Sequence, residues 1–146
     1  MIRLAPGADG NGFAVMLADL LRQNLTDKPH KRASLNALSG VAAIVAEDAN
    51  VAITLRFDNG EVEVLDGIVG VPDMAIRGET DEIFGLSNLP LTTRLALPIA
   101  ARNDPQGQEA SRAFVKAIRE KRLFLHGALL HPLFALRLTR VMSING

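Results

Sequence analysis

Residues 50–67 read Asn-Val-Ala-Ile-Thr-Leu-Arg-Phe-Asp-Asn-Gly-Glu-Val-Glu-Val-Leu-Asp-Gly, and this stretch predicts the centre of the fold. On each side of Asn59 and Gly60, apolar residues alternate with polar or small ones, which is the period of a strand with one buried face. The Asn-Gly pair favours a two-residue hairpin turn because both residues tolerate a positive φ. The stretch therefore predicts two antiparallel strands joined by a tight turn.

The turn determines which side chains face each other across the two strands. Counting outward from it, Arg56 lies opposite Glu63, an opposite-charge pair on one face of the hairpin. The other face is apolar and carries Leu55, Phe57, Val62 and Val64. A slip of one residue would mix the two faces, so the sequence specifies this register and predicts a sheet with one polar face.

The overall composition excludes several classes of protein. The chain has 146 residues, of which 48% are hydrophobic and 22% charged, as expected for a single globular domain over residues 1–146. Its formal net charge is zero, so we expect no nucleic-acid partner. It has no cysteine, which excludes disulfides, thiolate metal sites and a cysteine nucleophile. We find no signal-peptide pattern and no apolar run of membrane-spanning length, and we expect a cytoplasmic protein without stable membrane insertion.

Helices precede the hairpin. Residues 1–12 read as a loose leader. Apolar residues then recur at helical spacing over residues 13–25, and Asn11 or Asp9 could cap this helix. A shorter helix is predicted for residues 31–38, with Gly40 as its C-terminal cap. Residues 41–46 are small or β-branched and predict a strand that leads into the hairpin.

After the hairpin, strands and helices alternate. The sequence predicts a strand over residues 72–77, a short helix capped by Thr80, an apolar loop over 89–103, a helix beginning at Asp104-Pro105, a strand over 122–126 and a final helix over 132–144. Strands at close spacing joined by tight turns imply a largely antiparallel sheet. The predicted fold class is α+β, a five-stranded, largely antiparallel sheet with helices packed on one face.

No arrangement of residues predicts catalysis. The carboxylates fall on the polar face of the hairpin and in the first turn of the short helix, and residues 67–70 are too short for a dinucleotide fingerprint. The three histidines are scattered, at His30, His126 and His131, without the spacing of a metal site. We therefore predict that the protein is not an enzyme and has no metal or other cofactor.

The last predicted helix is apolar over most of its circumference. With the residues just before it, it presents Leu129, Leu130, Leu133, Phe134, Leu136, Leu138, Val141 and Met142. Such a helix needs apolar partners on more than one side. Two interpretations are open, because a solid core and a lipid pocket use the same residue types. In the first, the helix is covered by the sheet and another helix or by a second chain. In the second, it roofs an apolar cavity.

Several segments resemble the sterol carrier protein (type 2) domain family. Residues 40–57, the turn and strand over 59–62, and residues 72–83 are similar to its strand set, its aspartate-led strand and its short helix. Residues 121–127, followed by an apolar helix, resemble the family's closing strand and glycine. The resemblance spans residues 13–144. It implies an apolar tunnel between sheet and helices that binds fatty acyl chains, sterols or related lipids, without catalytic residues.

The resemblance leads to a functional prediction, the non-catalytic binding or carriage of an apolar lipid in a cavity between sheet and helices. The predicted lipid-binding residues are Leu55, Phe57, Phe84, Phe114, Ile118, Leu125, Leu129, Leu133 and Phe134. The alternative is an interaction module, in which the apolar C-terminal helix docks on a second copy or another protein and the cavity is collapsed. The sequence departs from the family at residues 87–104, where an apolar stretch with two prolines is inserted.

Overall fold

A computed structural model describes residues 1–90 and 103–144. The strands are β1 (Ile2–Leu4), β2 (Ser39–Ala46), β3 (Val51–Asp58), β4 (Glu61–Asp66), β5 (Met74–Gly78) and β6 (Leu123–His126). The α-helices are α1 (Gly12–Asp27), α2 (Lys31–Asn36), α3 (Thr80–Gly85), α4 (Pro105–Arg119) and α5 (Pro132–Met142). The predicted apolar loop and the inserted stretch fall mostly on residues 91–102, outside the described residues. Each described helix falls short of the length and apolarity that a membrane crossing demands.

The strands form one sheet in the order β1-β4-β3-β2-β5-β6. The pairs β2–β3, β3–β4 and β5–β6 are antiparallel, whereas β1–β4 and β2–β5 are parallel. The α+β class is confirmed, but the sheet has six strands within the described residues where the sequence predicts five. The additional strand, β1, lies in the predicted loose leader and pairs with the free edge of β4, where the amide of Ala5 donates to the carbonyl of Val64 at 2.8 Å. A strand of three residues is too short to show a period.

The predicted hairpin register is confirmed. Leu55 lies opposite Val64 and Arg56 lies opposite Glu63, and the φ values at residues 59 and 60 are 45° and 104°. Arg56 Nη1 and Glu63 Oε2 are 3.0 Å apart on the polar face. Leu55 and Val64 are fully buried beneath the helices. The alternation in the sequence therefore determines which face of the sheet carries the core.

The polar face is partly covered by the connection from β4 to β5. These two strands run in the same direction with β3 and β2 between them, so residues 67–73 must cross the sheet. The hydroxyl of Thr54 donates to the carbonyl of Gly67 at 2.8 Å and accepts from the amide of Val69 at 2.9 Å. Thr54 and its neighbour Ala43 are buried as a result. The prediction of a polar face holds at the Arg56–Glu63 pair but not at Thr54.

Gly40 belongs to β2 and does not cap the preceding helix, which ends earlier than predicted. Its φ is +141°, and a Cβ there would lie 2.7 Å from Asp73 Oδ2 and 2.9 Å from the ring of Phe134. The missing side chain lets the Asp73 carboxylate accept a hydrogen bond from the amide of Val41 at 2.8 Å. It also lets the ring of Phe134 lie against the backbone of the strand. Gly40 is therefore required by tertiary contacts, which local sequence does not reveal.

Helix capping follows the sequence at two helices and departs from it at a third. Asp104 caps α4 as predicted, and of the two candidate caps for α1, Asn11 and Asp9, Asn11 is the one that caps the helix. Thr80, the predicted cap of α3, is the first residue of that helix, and the cap comes from Asp48 in the turn between β2 and β3. Asp48 Oδ1 accepts from the amide of Thr80 at 2.7 Å and from its hydroxyl at 2.8 Å. The bonds from the Thr80 hydroxyl and amide hold the pKa of Asp48 below its ordinary value.

The two faces of the hairpin predict different responses to mutation. Leu55→Ala opens a void in the core and should lower the free energy of unfolding by about 2–5 kcal/mol. Glu63→Gln weakens an ion pair on the polar face and should cost no more than ~1 kcal/mol. Urea unfolding of both variants measures the difference. Equal small losses would contradict the assignment of the two faces.

Two glycines predict opposite effects of the same substitution. Gly40→Ala should lower the free energy of unfolding by about 1–3 kcal/mol, because its φ is positive and its site is filled. Gly85→Ala should raise it by ~0.4–1 kcal/mol, because that residue has a helical φ of −56° and nothing within 4 Å of a new Cβ. Thermal and urea unfolding test the pair. A stabilised Gly40→Ala variant would show that the contacts at Gly40 are not tight.

Candidate functional site

An apolar cavity of about 340 Å³ lies between α4, α5 and the β5–β6 edge of the sheet. Its volume is at the lower end of the range of roughly 300–1,000 Å³ that is usual for small-molecule sites. The described residues that line it are Met74, Ile76, Leu86, Leu89, Phe114, Leu125, Ala128, Pro132, Ala135, Leu136, Leu138, Thr139 and Met142. Nearly half of them belong to α5, so that helix forms the principal wall.

The lining offers almost no polar chemistry. Thr139 is the one hydrogen-bonding side chain among the described lining residues, and its hydroxyl donates to the carbonyl of Ala135 at 2.8 Å. Its donor is thus used within the helix. A ligand in this cavity meets hydrocarbon and finds no charged side chain among these residues to orient a polar group or transfer a proton. Within residues 1–90 and 103–144, no three histidine or carboxylate side chains are grouped to hold a metal ion.

The helix α5 has two different apolar faces. Phe134 and Val141 point into the core, where the ring of Phe134 meets that of Phe57 edge-on, with centroids 5.9 Å apart. Ala135 and Met142 lie on the face that borders the cavity. The near-continuous apolar circumference therefore reflects both interpretations left open by the sequence, since one side of α5 completes a core and the other walls a void.

Two of the nine predicted lipid-binding residues line the cavity and three lie in the core. Phe114 on α4 and Leu125 on β6 line it. Leu55, Phe57 and Phe134 are buried among other core side chains, outside the lining. For Leu55 and Phe57 the reason lies in the strand order, because β2 lies between β3 and β5 and so separates the inward face of β3 from the cavity. Phe134 lies on the side of α5 that packs against Phe57.

The other four predicted residues also lie outside the lining. Phe84 packs edge-on against Phe13, with ring centroids 5.6 Å apart, at the edge of the core. Ile118 is 42% exposed, because the inward face of α4 is formed by its neighbours and not by this position. Leu129 and Leu133 are 97% and 64% exposed at the corner between β6 and α5. The cavity therefore does not bring these four side chains together.

Sequence reasoning missed most of the lining. Met74 and Ile76 alternate along β5, and Ile76 pairs with Leu125 across the antiparallel β5–β6 contact. Their alternation in the sequence predicts that Met74 and Ile76 lie on one face of the sheet. Only the pairing of β5 with β6 brings Leu125 beside them. Ala128 and Ala135 are small residues among leucines, and they leave room where a larger side chain would fill the space. That contrast is the one local signal of a void.

Buried polar groups of α1 and α2 hold the C-terminal end of α5. Asn24 Nδ2 donates to the carbonyl of Met142 at 2.7 Å, and Lys31 Nζ donates to the carbonyl of Ser143. Asn24 is 3% exposed and Lys31 is fully buried. Carbonyl groups at the end of a helix lack partners within it and attract positive charge. The wall of the cavity is therefore fixed at its C-terminal end by these donors.

The buried ammonium group of Lys31 is electrostatically disfavoured. Burial, together with the positive charges of Lys28 and Arg140, lowers the pKa of Lys31 from 10.5 to about 8. Above about pH 8 the native protein releases this proton while the unfolded chain keeps it up to about pH 10.5. The free energy of unfolding therefore gains a contribution as the pH rises through this window and loses it as the pH falls.

This linkage predicts a measurable pH dependence. From about pH 8 to 10.5, the stability of the wild type should rise relative to that of a Lys31→Met variant, which lacks the titrating group. Urea unfolding of both proteins across the window gives the difference. Lys116→Met, at an exposed position on α4, serves as the control and should follow the wild type. A wild type that loses stability relative to Lys31→Met would mean that the ionised form of Lys31 is favoured by folding.

The chain resembles known proteins in part of its sequence and in its fold. The sequence profile of the SCP-2 sterol transfer family matches residues 17–96. No curated protein matches the chain. Among solved structures, the chain is similar to a protein described as "UbiJ-SCP2 Ubiquinone synthesis protein", with a TM-score of 0.56 and 16% identity over 88% of this chain and 95% of the other. At this identity the likeness concerns the fold. The profile match includes β5 and α3, whereas the walls formed by α4, β6 and α5 lie beyond it.

Proposed function

Because the chain belongs to the SCP-2 sterol transfer family, we propose that it binds a lipid without catalysing a reaction, with the lipid's hydrocarbon part in the cavity beside α5. The observation that supports this proposal most directly is the lining, in which Thr139 is the one described polar side chain and donates within its own helix. Burying apolar ligand surface there gains about 25 cal/mol per Å². A charged or strongly polar ligand group would lose its hydration without compensation.

The same lining determines what the site would recognise. Without a described charged group in the cavity, selection would depend on the length and shape of the hydrocarbon, and the polar head would stay at the mouth. Fatty acids, sterols and prenylated lipids all meet this condition. The structural neighbour is described as a ubiquinone synthesis protein, so ubiquinone belongs among the ligands to test. The proposed role is carriage or presentation of a lipid and not its chemical conversion.

Filling the cavity should weaken lipid binding without unfolding the protein. Ala135→Phe puts a ring into the void from the wall of α5 and should weaken binding of a fluorescent fatty acid by at least about tenfold. Thermal stability should be unchanged or higher, since a larger side chain replaces empty space. Displacement titrations with fatty acid, sterol and ubiquinone, run beside thermal melts, provide the measurement.

The matched control is Ala33→Phe, which adds the same atoms at an exposed position on α2. It should bind lipid as the wild type does. A stable Ala135→Phe variant with wild-type affinity would place the lipid elsewhere in the chain. A delipidated wild type that binds none of the three lipid classes would refute the proposed function.

A further inference from the structure

A smaller cavity, of about 170 Å³, lies between α3 and α4. We call it the minor cavity, and the cavity beside α5 the major cavity. The described residues that line the minor cavity include Glu82, Gly85, Leu86, Ala110, Phe114 and Leu123. A Cβ built at Gly85 would meet no atom within 4 Å, which agrees with open space at this wall.

The two cavities share part of their lining. Leu86, in the 3₁₀ turn that follows α3, and Phe114, on α4, line both of them. Leu123 lines the minor cavity and Leu125 the major one, and these alternate residues of β6 lie on the same face of the sheet. Two residues of a strand span about 6.5 Å, so the cavities are neighbours along β6, with Leu86 and Phe114 at their common boundary.

The minor cavity is the more polar of the two. Among the described residues, Glu82 is the one charged side chain that lines either cavity, and Asn88 adds an amide to the minor cavity. The polar side chain in the described lining of the major cavity, Thr139, donates within α5. A lipid that occupies both cavities would therefore have its hydrocarbon beside α5 and its polar head beside Glu82.

Glu82 belongs to a small group of charged side chains. Its Oε1 pairs with Arg122 Nη1, and Arg122 Nε lies 3.0 Å from Glu120 Oε2. Lys116 Nζ lies 3.9 Å from Glu120 Oε1, so the four formal charges balance. Of these four side chains, Glu82 is the one in the described lining of the minor cavity. The cavity therefore meets this charged group at a carboxylate.

A carboxylate discriminates between the possible heads of a lipid. It only accepts hydrogen bonds and has about four acceptor sites, so its pairing with one guanidinium leaves acceptor capacity for a ligand. A neutral hydroxyl head can donate to it, and such a bond to an ionised acceptor is stronger than a bond between neutral groups. An ionised carboxylate head has no donor to offer and carries the same charge.

We propose that the minor cavity is the head-group subsite of the lipid site, and that Glu82 selects a neutral hydroxyl head over an ionised carboxylate head. The inference rests on the lipid-binding function proposed above, and adds to it the position of the head and its charge. The hydrocarbon would pass Leu86 and Phe114 and lie in the major cavity.

The test uses two ligands that differ only in the head, dodecanol and dodecanoate, in displacement titrations at neutral pH. Glu82→Gln removes the charge and keeps the shape of the side chain. It should lower the ratio of dodecanol to dodecanoate affinity at least about fivefold, mainly by tightening dodecanoate binding. The control is Glu120→Gln, which removes the other carboxylate beside Arg122 but lies outside the described lining of both cavities. It should keep the wild-type ratio.

Filling the minor cavity gives a second measurement. Ala110→Phe adds a ring at its α4 wall, outside the described lining of the major cavity. It should weaken dodecanol binding at least about fivefold, with thermal stability retained. Val115→Phe, at a position on the same helix that is 61% exposed, is the matched control and should bind dodecanol as the wild type does.

Two results would overturn the head-group subsite. One is a Glu82→Gln variant with the wild-type ratio of the two affinities. The other is a stable Ala110→Phe variant that binds dodecanol as the wild type does, because the head would then lie elsewhere. If Ala135→Phe still weakens binding in either case, lipid binding beside α5 stands without this subsite. A delipidated wild type that binds neither ligand would overturn both proposals.

Discussion

The edge-on contact between Phe134 and Phe57, over the bare backbone of Gly40, is the interaction on which the candidate site depends. It fixes the N-terminal half of α5 over the inward face of the central hairpin. The hairpin provides that face because its alternation leaves Leu55 and Phe57 on one side and the Arg56–Glu63 pair on the other. Because one side of α5 packs into the core, its other side faces the β5–β6 edge of the sheet, where the cavity lies.

A cavity of this kind persists because its wall cannot move inward. At the C-terminal end of α5, Asn24 and Lys31 donate to carbonyls at and just beyond the helix end, so the helix is held at both ends. Between these anchors, Ala135 supplies too little volume to fill the space. Collapse would require breaking buried hydrogen bonds, whose unpaired groups are costly to leave in a protein interior. The depressed pKa of Lys31 shows that this arrangement has its own electrostatic cost.

The family match and the apolar lining of the cavity independently favour lipid binding. The SCP-2 sterol transfer profile matches strands and a helix whose sequence patterns are diffuse, and a fold alone does not fix a ligand. The lining favours an apolar ligand, because its one described polar side chain, Thr139, is hydrogen-bonded within α5. The proposed hydrocarbon ligand matches this apolar lining, whereas a strongly polar ligand would not.

The sequence by itself determined the hairpin register, the cap at Asp104 and the apolar circumference of α5, because each depends on residues a few positions apart. Tertiary structure decided which element covers each apolar face, and so it placed Leu55 in the core and Met74 in the cavity lining. Strand order, the sixth strand and the capping of α3 by Asp48 likewise join segments far apart in the chain. Periodicity assigns a side chain to a face, but the partner of that face is chosen by the packing of the whole chain, which no local pattern encodes.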